Sequence, residues 1–208
     1  MKKLISIIGV LLSLLAGPSW AVEPINLALA PAILGGAGAG VAASCSVSTD
    51  FVGTKNIASS NAATQAKDMA QCFLATASCS GTLATAYAMH ANADTANGKM
   101  CLYSYDSDAP DAGDEKIGCS GNMASTDIEW VSAAMDGGTV VSGTSYYICF
   151  FVALDSESTW TSDQSDEGSI NLYYKANSGY YATPPANLGT GWSSTSLARR
   201  SWYITIGP

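Results

Sequence analysis

The densest apolar run after the first twenty residues lies in the second half of 139–154, Thr-Val-Val-Ser-Gly-Thr-Ser-Tyr-Tyr-Ile-Cys-Phe-Phe-Val-Ala-Leu. It is β-branched and aromatic, which suits a pleated surface, and it is shorter than the ~20 residues a membrane-spanning helix needs. Ser142-Gly143-Thr144 breaks it with turn chemistry, so it predicts a short strand, a turn and a long strand. Alternation puts Tyr147, Cys149 and Phe151 on one face and Tyr146, Ile148, Phe150 and Val152 on the other. Both faces are apolar, so the strand belongs in the middle of a sheet covered on both sides.

The same patterning predicts strands over 46–52, 69–75, 82–89, 99–105, 116–119, 128–135, 170–175 and 199–206, with a further strand starting at Tyr180-Tyr181. In 82–89, Leu83, Tyr87 and Met89 read as one face. Asn97-Gly98 is the strongest turn dipeptide. In 199–206, Trp202, Ile204 and Ile206 read as inward. After the first residues no helix-period segment of ten or more appears, and no fixed-period repeat. Eight to ten short strands with regular turn signals predict an all-β fold, a single antiparallel jelly-roll-like β-sandwich.

The ends of the chain differ from this pattern. Lys2 and Lys3, the apolar stretch 4–15 and Ser19-Trp20-Ala21 form a secretory signal peptide over 1–21, cleaved after Ala21. Residues 22–44 are apolar and rich in Gly and Ala. They read as a tether, or as an assembly strand that pairs with a neighbouring subunit. The sandwich domain is then 45–208. No membrane span is expected once the signal is removed.

Loss of Lys2 and Lys3 leaves seven of nine basic residues against seventeen acidic ones, a net charge of −10. That surface repels phosphate backbones and disfavours nucleic acid. The six cysteines, at 45, 72, 79, 101, 119 and 149, all follow the signal. An even count in an exported chain predicts disulfides, with fifteen connectivities if all pair. A pairing that sets Tyr105 opposite Glu115 also sets Cys101 opposite Cys119, so these two are expected to be joined.

One resemblance follows from Gly81-Thr82-Leu83, then Lys99-Met100-Cys101-Leu102-Tyr103-Ser104, Pro110, Trp130-Val131 and Gly143-Thr144-Ser145-Tyr146-Tyr147-Ile148. In that order they resemble a broad group of secreted, carbohydrate-binding-like jelly-roll modules, over residues 68–206. The resemblance implies a fold and a role as an accessory or binding module, or as part of a fibre. It brings no catalytic residues. The chain departs from the pattern in its many cysteines and in Tyr147, where Trp is usual.

Candidate chemistry is sparse. His90 is the only imidazole and reads as a surface residue at a strand end. No Gly-x-Ser-x-Gly elbow accompanies it, and no enzyme is expected; a glycoside hydrolase running on paired carboxylates is the remote alternative. Asp106, Asp108, Asp111, Asp114 and Glu115 pack five carboxylates into ten residues, the oxygen chemistry of calcium, although Pro110 breaks the EF-hand template. Asp155, Glu157, Asp163, Asp166 and Glu167 form a second acidic cluster. Trp130 and Trp202 read as core. Trp160, Tyr181, Asn187 and Trp192 fall in loop-like segments, where aromatic faces with polar neighbours suit a sugar ring. The reading is an exported, non-catalytic binding module for a polysaccharide. A self-associating subunit of a fibre or surface appendage is the alternative.

Overall fold

Fourteen strands form among the described residues: β1 (Phe51–Gly53), β2 (Ala62–Thr64), β3 (Met69–Thr76), β4 (Gly81–His90), β5 (Ala96–Tyr103), β6 (Lys116–Cys119), β7 (Met123–Ser125), β8 (Glu129–Ala134), β9 (Thr139–Val140), β10 (Ser145–Val152), β11 (Thr159–Thr161), β12 (Ile170–Ala176), β13 (Ser193–Leu197) and β14 (Trp202–Gly207). The structure is a computed structural model, and it describes residues 44–55, 62–64, 68–90, 96–106, 109–153, 159–161, 170–176, 179–197 and 200–208. The expected signal peptide, 1–21, and nearly all of the 22–44 segment lie outside these. Among the described residues there is no helix, and so none long and apolar enough to cross a membrane.

The pairings are antiparallel and nested. β1 pairs with β14, β3 with β10, β4 with β8 and β9, and β5 with β6 and β7. The first and third of these pairs lie in one sheet (sheet I), the second and fourth in the other (sheet II). One long hairpin wrapped round a core in this way is a jelly roll. β12 and β13 extend sheet II beyond β3, and β11 with β2 extends sheet I beside His90.

β10 sits between β3 and β5 and is buried from Tyr146 to Val152. Its Ile148, Phe150 and Val152 enter the core between the sheets, with Phe73, Leu102, Ile204 and Ile206. Trp202 is fully buried there, stacked on Phe150 at 5.1 Å and tilted against Phe73 at 5.9 Å. The other face of β10 carries Tyr147, Cys149 and Phe151. It joins a second apolar cluster with Cys72, Cys101, Tyr103 and Leu188. Residues 179–192, between β12 and β13, cover this outer face, with Tyr180, Tyr181 and Trp192 packed onto it.

All six cysteines pair: Cys45 with Cys79, Cys72 with Cys149, and Cys101 with Cys119. The ladder sets Cys101 opposite Cys119 and Leu102 opposite Gly118, then slips by one residue. Beyond the slip it is Ser104, not Tyr105, that meets Glu115, donating its N–H to the Glu115 carbonyl at 2.8 Å.

Four other expectations change. The strand count exceeds eight to ten, because short pieces such as β7, β9 and β11 exist only through their partners. The strand expected over 46–52 starts at Phe51; before it a turn is closed by Asp50 donating to the Ser46 carbonyl. Tyr180-Tyr181 lies in a turn. Asn97-Gly98 lies inside β5, not in a turn. A Cβ on Gly98 would collide with the Phe150 ring, so this glycine serves packing.

The largest change is in β4. Between Leu83 and Ala86 it carries one residue more than β14 does between Ile204 and Ile206. Such a bulge turns every later side chain to the opposite face. Leu83 points into the core, but so do Ala86, Ala88 and His90, all fully buried or nearly so. Tyr87 and Met89 turn outward and are half-exposed. The Thr205 hydroxyl repairs the interrupted ladder, accepting from Thr85 N–H at 3.1 Å and donating to its carbonyl at 3.2 Å.

Candidate functional site

The bulge builds a feature on the outer face of sheet I. Tyr87, turned outward, lies opposite Tyr203 in β14 and Ser132 in β8. Trp130 pairs with Met89, and Phe51 is carried by β1 beside β14. The rings meet: Tyr87 stacks on Tyr203 at 4.7 Å and 9°, while Trp130 and Phe51 present edges to Tyr203 at 5.4 and 6.1 Å. The Lys55 ammonium sits 4.3 Å from the Phe51 ring centre and 5.2 Å from that of Tyr203. All four rings are half-exposed. Partial burial, then the neighbouring Tyr87, raises the pKa of Tyr203. Among the described residues, sheet I has no counterpart to the segment that covers sheet II. Trp130 was expected in the core; its neighbour Val131 takes the inward place instead. Tyr203 was legible as outward from the alternation of Trp202 and Ile204. Tyr87 was not, because the bulge is set by the partner strand.

The sugar-binding candidates lie elsewhere. Trp160 is in β11 of sheet I, opposite Ala63 and His90, and its side chain is outside the described part. Tyr181 and Trp192 are half-buried against sheet II. The Tyr181 hydroxyl donates to Asn122 Oδ1 at 2.8 Å, and Trp192 Nε1 donates to the Gly189 carbonyl at 3.1 Å. Lys99 lies 5.3 Å from the Tyr181 ring centre, and Lys175 lies 5.9 Å from that of Trp192. Asn187 is exposed and forms an isolated bridge with Glu115. The cover is thus pinned to the acidic loop by its backbone. Leu188 N–H donates to the Asp114 carbonyl at 3.2 Å and Gly189 N–H to that of Asp111 at 2.9 Å. Beneath it, the Tyr103 hydroxyl donates to the Pro185 carbonyl at 3.0 Å. Burial, with Tyr180 adding, raises the pKa of Tyr103.

Of the calcium candidates, Asp106, Asp111 and Asp114 each offer an oxygen within 4.8 Å of the others. Asp108 lies outside the described residues. Glu115 is exposed and takes no part in this group. Asp114 is fully buried; its Oδ2 accepts from Asp111 N–H at 2.8 Å and its Oδ1 from Asp106 N–H at 3.2 Å. Burial raises its pKa, partly opposed by these two bonds. Three carboxylate oxygens are about half the six to eight ligands calcium takes, and one of the three residues already closes the loop. His90 is buried, contrary to expectation, with Nδ1 2.7 Å from the Asp127 carbonyl oxygen.

The chain matches no protein-family model, no curated protein and no solved structure.

Proposed function

We propose that this is an exported, non-catalytic binding module whose outer face of sheet I holds a neutral polysaccharide. The carrying observation is the row Phe51, Tyr203, Tyr87 and Trp130, half-exposed on an open sheet beside Ser132. Large aromatic side chains normally go to the core or to a partner. Among the described residues, 179–192 cover the aromatic outer face of sheet II, and no such segment covers this one. Rings beside hydroxyls suit a sugar, which presents C–H faces and polar edges. The acidic surface favours an uncharged glycan over an anionic one. Three disulfides in one small domain belong to an oxidising compartment, which supports export.

The test is retention on insoluble polysaccharides by wild type, Trp130→Ala, Tyr203→Ala and Trp192→Ala. Loss in the first two variants alone supports the reading. Loss in Trp192→Ala alone moves the site to the 179–192 cover. A wild-type protein that is never retained removes the glycan reading.

A further inference from the structure

A charged side chain enters the sandwich just before β14. Arg200 is 2% exposed and stands on the inward alternation of Trp202, Ile204 and Ile206. Its guanidinium carbon lies 5.9 Å from the Trp202 ring centre. Neither Nε nor Nη1 has a hydrogen-bond partner among the described residues, and nor has Trp202 Nε1. The Trp202 ring rests on Phe150 and Phe73. Gln71 is opposite Phe150 in the ladder, two residues from Phe73, and is 5% exposed. Its Oε1 is likewise unpartnered among the described residues.

Three buried N–H donors, two on Arg200 and one on the Trp202 ring beside it, therefore stand without partners among the described residues. A buried cation with open donors is unfavourable unless an acceptor, best an anion, meets it. Burial lowers the guanidinium pKa only to about 10, so the charge is present at neutral pH.

We propose that Arg200 and Trp202 form a buried site for one small monovalent anion, of the size of formate or a halide, taken up from solution. Arg200 supplies the charge and two donors, and Trp202 a third. The site is separate from the aromatic row, whose rings point out of sheet I.

The experiment is thermal unfolding of the mature, disulfide-bonded chain at fixed ionic strength, with sodium formate or sodium bromide replacing bulky gluconate. The expected result is a rise in Tm of about 5–10 °C at a hundredfold excess over Kd. Arg200→Met should lose that rise, and Trp202→Phe, which removes the indole N–H together with its five-membered ring, should show a smaller one. If Arg200→Met does not fold, Arg200→Lys replaces it, and weakened anion dependence is the expected result. In bromide-soaked crystals an anomalous peak should lie within hydrogen-bond distance of Arg200 Nε. A wild-type Tm equal in all three salts overturns the proposal, whether water or a carboxylate of the chain itself satisfies the donors. An Arg200→Met variant that keeps the full rise overturns it too.

Discussion

Gly98 has a ring where a side chain would go. The position lies in β5 opposite Val152, and an added Cβ would meet Cε1 and Cζ of Phe150. Phe150 cannot yield freely, because Trp202 is stacked on it. Gly98→Ala is therefore expected to destabilise by about 1–3 kcal/mol, read from the urea midpoint. Asp114 makes a second test. In Asp114→Asn one of the two backbone N–H donors faces an amide NH2, an expected loss of about 1–3 kcal/mol. The pH dependence has a definite sign. Burial raises the folded pKa above the ordinary 3.8, so the folded carboxyl keeps its proton where the unfolded one has lost it. Its contribution is greatest below 3.8 and shrinks as pH rises through the raised folded value. The deficit of the asparagine variant should narrow between acid and neutral pH.

At the scale of elements, the cysteines show how pairing geometry selects a connectivity. Cys72, Cys149, Cys101 and Cys119 lie in one row across β3, β10, β5 and β6, each opposite the next. The bonded pairs have Cα atoms 4.1 and 4.0 Å apart, the spacing of non-hydrogen-bonded antiparallel pairs. Alternation then makes Cys149 and Cys101 a hydrogen-bonded pair, whose Cβ atoms stand farther apart than disulfide reach. A Cys72→Ser/Cys119→Ser protein is predicted to leave Cys101 and Cys149 as two titratable thiols after unfolding. Finding them joined would contradict the account. The same scale shows what could be read beforehand. β10 was legible because both its faces are apolar, and the Cys101–Cys119 match because two short strands flank one loop. The β4 bulge was not, since an extra residue is defined only against β14. With it went the outward turn of Tyr87 and the burial of His90. Asn97-Gly98 misled because its glycine answers a contact distant in sequence.

For the whole molecule, nested pairs make nearly every contact long-range, and the disulfides brace them. Cys72–Cys149 joins positions 77 residues apart and Cys45–Cys79 joins positions 34 apart. Removing a native disulfide from a domain of this kind costs about 2–5 kcal/mol, against a total of about 5–15. Expression of residues 22–208 in a reducing cytoplasm should give poorly folded chain, and reductant should lower the Tm of the disulfide-bonded form. Equal stability with and without reductant would show that the bridges carry no structural weight.

The central claim is that the open aromatic face of sheet I is the binding face. The most direct measurement follows the indole N–H signals of the mature chain during titration with soluble oligosaccharides. Of five tryptophans, Trp20 lies in the expected leader, so a chain prepared from residue 22 carries four signals. The account predicts that Trp130 shifts while Trp192, bonded within its own loop, and Trp202, in the core, stay in place. A shift of Trp192 with Trp130 unmoved, or no shift with any oligosaccharide, would contradict it.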